Sequence, residues 1–148
     1  MNKSISLLKN EEATVETGRR LVRELNLSNE LVFLNGDLGS GKTTLVRGIL
    51  RSWGYDGPVK SPTYTLLEPY ELADCRVLHF DFYRINDAEE LLYIGIDDLL
   101  GEEAIKLVEW PSNGSSILPK PDIEIFLEAG DSSKPNYRSL EVIDHRRT

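Results

Sequence analysis

The sequence predicts an α/β domain: a mixed sheet with flanking helices, carrying an antiparallel hairpin as an insertion. Three observations predict it. Leu31-Val32-Phe33-Leu34 is a short continuous apolar run, the pattern of a strand buried on both faces, and a helical period follows it at residues 42–53. Two strand-like segments at residues 65–72 and 76–82 are separated only by Ala73-Asp74-Cys75, which is short enough for a hairpin. Residues 123–128 and 138–143 alternate in polarity and pair as late strands.

The remaining elements follow from local chemistry. Residues 11–26 read as a helix, with Leu21, Val22 and Leu25 on one face, Asn10 as N-cap and Glu11 and Glu12 in the first turn. Asn26, Ser28 and Asn29 break it. The helix at 42–53 repeats Leu45, Ile49 and Leu50 and stops at Gly54, Gly57 and Pro58. Short helices at 88–92 and 97–100 are separated at Gly95, a strand runs over 104–109, and the Pro-, Ser- and Gly-rich stretch 111–121 is a loop. Residues 1–148 form one domain, with 144–148 as a mobile tail.

Composition bounds the function. Twenty-five acidic residues against 17 basic ones give a net charge of −8, so the surface repels a polyanion on average and any nucleic-acid role is indirect. A small phosphate ligand stays open, because a local nest of backbone N–H groups overcomes an unfavourable global field. The one cysteine, Cys75, makes no internal disulfide and suits a reducing cytosol. The apolar runs fall far short of the about 20 residues of a membrane span, and no secretory h-region follows Met1, so a soluble cytoplasmic protein is expected.

The sharpest signal is Gly36-Asp37-Leu38-Gly39-Ser40-Gly41-Lys42-Thr43, which matches GxxxxGK[ST] and leaves a buried strand to open a helix. Glycines at 36, 39 and 41 let the backbone approach an anion closely, and the helix N-terminus binds it. Lys42 would reach the β- and γ-phosphates, the Thr43 hydroxyl would take Mg²⁺, and Thr44 would bond the α-phosphate. The fold class sharpens to a P-loop NTPase-like sheet.

Such a site needs a second acid for its magnesium shell. Asp81 follows an apolar strand in Leu78-His79-Phe80-Asp81, and Glu109 ends another in Leu107-Val108-Glu109-Trp110-Pro111. Either could hold the metal or its water, and Glu109 could orient the attacking water. Ser61-Pro62-Thr63-Tyr64 lies between the loop helix and the Asp81 strand, the chain position of a γ-phosphate-sensing switch. Histidine at position 79, within an apolar strand, reads as a satisfied core residue rather than a base, and His145 as inert.

Gly36 to Thr44, Ser61-Pro62-Thr63-Tyr64, His79-Phe80-Asp81-Phe82-Tyr83-Arg84 and Glu109-Trp110-Pro111 occur in this order, and together they resemble the bacterial TsaE (YjeE) family over nearly the whole chain. The resemblance implies an ATPase needed to make threonylcarbamoyladenosine in tRNA, beside the anticodon. Such a subunit does not transfer the carbamoyl group. It binds the TsaB–TsaD pair, and its hydrolysis of ATP supports multiple turnover, so tRNA is met only indirectly. The implied cofactors are ATP and Mg²⁺. By position, Lys42, Asp81 and Glu109 would be catalytic, with Thr43, Asp81 and Glu109 serving the metal and the attacking water. Residues Gly36, Asp37, Leu38, Gly39, Ser40, Gly41, Lys42, Thr43 and Thr44 would bind the nucleotide, and Asn10, Glu11 and Arg138 would edge its pocket. Ser61, Pro62, Thr63 and Tyr64 would act as the switch, and Trp110 would lie near the nucleotide or the partner face. No arginine within the motifs is placed for catalysis, so the partner would complete the site. Two other readings stand beside this one: a small-molecule kinase, and a nucleotide-dependent binding module without catalysis.

Overall fold

The computed structural model describes residues 2–146, which build one seven-stranded sheet. In chain order the elements are β1 (Asn2–Leu8), α1 (Glu11–Glu24), β2 (Leu31–Asn35), α2 (Lys42–Arg51), β3 (Leu67–Glu71), β4 (Arg76–Asp81), α3 (Glu90–Tyr93), α4 (Ile96–Leu100), β5 (Ile105–Glu109), a 3₁₀ turn (Pro111–Gly114), β6 (Ile123–Ala129) and β7 (Arg138–Asp144). The strand order is β1-β7-β6-β2-β5-β4-β3. The central strands β6, β2, β5 and β4 are parallel, and β7, β1 and β3 extend the sheet antiparallel at its edges. The expected hairpin is β3–β4, and the expected late pair is β6–β7.

Side-chain alternation along the buried strands separates two cores. Val32 and Leu34, Val77, and Ile105 and Leu107 pack toward α1 and α2, whereas Leu78, Phe80 and Val108 pack toward α3 and α4. The first face is bound by an unusually close crossing of α1 and α2. A Cβ on Gly18 would lie 2.5 Å from the Leu45 carbonyl oxygen, and one on Gly48 would fall inside the van der Waals shell of the Val15 carbonyl. The two helices therefore meet main chain to main chain.

Several boundaries differ from expectation for local reasons. Helix α1 stops at Glu24 because Asn26 turns left-handed at φ 52°. The strand expected from residue 65 begins at Leu67, after Leu66 at φ 69°, and tolerates Pro69 because β3 is an edge strand. Strand β1 was not expected. It is an edge strand whose Ile5 and Leu7 point to solvent, so its side chains do not alternate between a buried and a polar face.

The expectation of a mobile tail at 144–148 is corrected for its first three residues. Asp144 closes β7, and His145 Nε2 lies 2.9 Å from Glu124. Arg146 donates to the Leu25 carbonyl at 2.7 Å, to Glu30 at 3.1 Å and to both carboxylate oxygens of Asp144. Bonding to Arg146 holds the Asp144 carboxyl below the usual range. Residues 147 and 148 lie outside the described part.

Candidate functional site

The loop after β2 carries three glycines at positive φ: Gly36 at 156°, Gly39 at 77° and Gly41 at 106°. At Gly36 the need is steric as well, since a Cβ there would lie 2.5 Å from the Leu127 carbonyl and from Ser40 Oγ. Gly41 is the N-cap of α2 and offers no side-chain hydrogen bond, so the N–H groups of the first turn stay free for an anion. They open on a cavity of about 570 Å³ that residues Leu38 to Thr44 line. The same cavity is walled by Asn10, Glu11 and Thr14 from the start of α1, by Ser61 and Thr63, by Asp81 and Glu109, and by Trp110 and Arg138.

Asp81 and Glu109 are register partners at the C-terminal ends of β4 and β5. They follow Val77 and Ile105 at even spacing, so both point to the α2 side of the sheet. Each is 3% exposed. Glu109 Oε2 accepts from Thr43 Oγ1 at 3.1 Å and lies 2.6 Å from His79 Nε2. Asp81 Oδ2 accepts from the Ser61 hydroxyl and, at 3.2 Å, from the Thr63 hydroxyl, while its Oδ1 accepts from the Tyr83 amide at 2.9 Å. Two carboxylates and three hydroxyls thus gather beside the open helix end. These are hard oxygen donors, the ligand type of Mg²⁺, which takes one or two carboxylates and leaves its other positions to water and phosphate. Among the described residues no group of three or more His, Cys, Asp or Glu is placed to hold a metal ion.

Lys42 is buried and folds back into its own loop, where Nζ donates to the Gly36 carbonyl and to that of Asp37 at 3.4 Å. The ammonium also sits 4.1 Å from the Trp110 ring, which stacks 5.0 Å from Tyr83. Burial draws the Lys42 pKa below its usual value, and the nearby Glu109, Asp81 and Asp37 charges partly restore it. Trp110 holds a left-handed backbone at φ 56°, which turns its ring over the lysine.

Four of the expected residues do not line the cavity. Gly36 and Asp37 face a neighbouring hollow bounded by Trp110 and Glu128, so their part is to shape the loop and hold Lys42. Pro62 and Tyr64 also lie outside it. Tyr64 is 80% exposed and carries the Arg84 guanidinium 4.2 Å above its ring. Glu11 turns sideways into an ion pair with Arg47 of α2. Arg138 donates to the Gly39 carbonyl at 3.1 Å and so ties β7 to the loop apex.

The model of the family described as threonylcarbamoyl adenosine biosynthesis protein TsaE matches residues 8–138. The chain belongs to the TsaE family. It is 48% identical over 113 residues to the tRNA threonylcarbamoyladenosine biosynthesis protein TsaE of Haemophilus influenzae, covering 76% of this chain and 69% of that one. It is 36% identical over 129 residues to the protein of the same description in Rickettsia felis, covering 86% and 74%. The crystal structure of Bacillus subtilis YdiB superposes with a TM-score of 0.78 at 23% identity, over 98% of this chain and 87% of that one, and shows the same fold. Membership places the chain in the making of threonylcarbamoyladenosine in tRNA. No helix of the described residues is long and apolar enough to cross a membrane.

Sequence reasoning missed Glu12, Tyr83 and Asn136 on the cavity wall, and two further contributors that did carry a readable signal. Thr14 follows Asn10 by one helical turn, so once Asn10 caps α1 at the cavity, Thr14 faces it too. His79 reads as core, and it is fully buried. Yet it shares the parity of Asp81, and that signal alone puts its ring on the side of Glu109.

Proposed function

We propose that the chain binds ATP with Mg²⁺ and hydrolyses it in the cytoplasm in support of threonylcarbamoyladenosine formation. It would act through a TsaB–TsaD-type protein pair and meet tRNA only indirectly. The observation that carries this reading is the convergence of Thr43, Asp81 and Glu109 beside the uncapped N-terminus of α2. The net charge of −8 supports an indirect relation to tRNA.

In this mechanism the glycine loop and the first N–H groups of α2 bind the polyphosphate. Lys42 leaves the Gly36 carbonyl and turns to the β/γ oxygens, where its charge meets that of the phosphate. Thr43 and Asp81 would hold Mg²⁺, which would supply positive charge against the charge developing on the transferred phosphoryl group. Glu109 orients the attacking water and takes its proton. Ser61 and Thr63 donate to Asp81, so the 61–64 segment would respond to what Asp81 binds.

The test is phosphate release by the full chain, alone and with the TsaB–TsaD pair, compared with Lys42→Ala. Release that depends on Lys42 and rises with the pair supports the reading. A phosphorylated small-molecule product would turn it toward a kinase, and nucleotide-sensitive partner binding without any phosphate release toward a binding module.

A further inference from the structure

We propose that His79 is a positioning residue for Glu109: its Nε2–H pins Oε2 and thereby turns the second carboxylate oxygen to the cavity. The inference rests on the proposed role of Glu109 and adds a residue to it. His79 is fully buried, with Nε2 2.6 Å from Glu109 Oε2. The carboxylate is an acceptor, so Nε2 carries the hydrogen. The other tautomer would leave a buried N–H at Nδ1 with no acceptor, for Nδ1 has no partner among the described residues. Thr43 donates to the same Oε2 at 3.1 Å. Among the described residues no group donates to Oε1, and Glu109 lines the cavity. Two donors therefore immobilise one oxygen and leave its twin for water.

A space-filling role alone does not explain a histidine here. Its neighbours in the sheet are Leu107 on β5 and Glu68 on β3, and the strand around it is apolar. A leucine would fill the volume without burying an orphaned nitrogen, so what the imidazole adds over an aliphatic side chain is the one bond it makes. An outer residue that orients a reacting ligand typically changes rates about 10- to 100-fold when removed.

The experiment compares His79→Leu and His79→Gln in the full chain with the TsaB–TsaD pair present. Glutamine places an amide N–H where Nε2 lies; leucine has none. His79→Leu is expected to lower kcat about 10- to 100-fold while the ATP-Mg affinity from calorimetry stays within about twofold. His79→Gln is expected to recover most of the rate, and His79→Leu is expected to add no further loss in a Glu109→Ala background. In the nucleotide-free chain, the proton NMR resonance of the imidazole N–H should shift on Glu109→Ala, a readout independent of turnover. Should His79→Leu not fold, His79→Asn replaces it, since its shorter amide does not reach Glu109. A His79→Leu chain that hydrolyses ATP at the wild-type rate, or that loses affinity and rate in equal measure, overturns the positioning role alone. Absence of phosphate release from the wild-type chain under the same conditions overturns the reading of Glu109 together with it.

Discussion

The α1–α2 crossing and the shelf of acids at the ends of β4 and β5 lie on the same side of the sheet, and they are held in opposite ways. At the crossing, Gly18 and Gly48 bring backbone against backbone, and at those two points no side chain adjusts the fit. At the shelf, Asp81 and Glu109 are satisfied by hydroxyls, an amide and an imidazole. Those partners are exchangeable for water or a ligand, whereas the glycine contact has no substitute. The comparison teaches where damage goes: the crossing fails as stability, the shelf as chemistry.

Substitutions that separate the two kinds of failure sharpen that contrast. The largest effect is expected for Gly48→Ala, which forces a methyl group into the Val15 carbonyl and should destabilise by about 3 kcal/mol or more in chemical unfolding. An unfolding midpoint equal to wild type would show that the helices re-space freely. Lys42→Ala should keep its fold and lose about 100-fold in ATP-Mg affinity by calorimetry, close to 2.7 kcal/mol. Glu109→Ala should retain that affinity and lower kcat about 100-fold in a phosphate-release assay. A weaker effect is expected far from both regions. Arg146→Ala, which removes bonds to Leu25, Glu30 and Asp144, should cost about 1 kcal/mol with no change in turnover. A last effect is confined to alkaline pH. Burial, with help from Tyr55 and Glu68, pushes the Tyr70 phenol up from 10.0 to about 12. The neutral phenol is favoured in the folded chain, so its contribution is intact below pH 10.0 and is lost as pH climbs toward about 12. Tyr70→Phe should flatten that part of a stability–pH curve.

What could be read in advance was whatever lies close in sequence or repeats with a period. The glycine loop, the helix it opens and the buried runs of β2, β4 and β5 are local patterns, and they were legible from the residues. Asp81 and Glu109 were legible as strand-end acids. That they are register partners was not, because only the sheet order sets β4 beside β5. The His79–Glu109 contact spans 30 positions and depends on that same order. Strand β1 escaped notice because its apolar side chains face solvent, and the anchoring of Arg146 because Glu30 and Leu25 stand more than 100 positions away. Asn10, Glu11 and Arg138 were suggested by family resemblance rather than by any local signal. The structure brings all three to the cavity wall, where Glu11 is occupied by Arg47 and Arg138 by Gly39.

The glycine crossing reaches beyond stability. Helix α1 starts at the cavity wall with Asn10, and α2 starts at the same cavity with the phosphate loop. At Gly18 and Gly48 no side chain stands between the two, so the closest approach behind the mouth is made by peptide units. Exchanging one aliphatic residue of the interior for another would leave that contact of main chain on main chain in place.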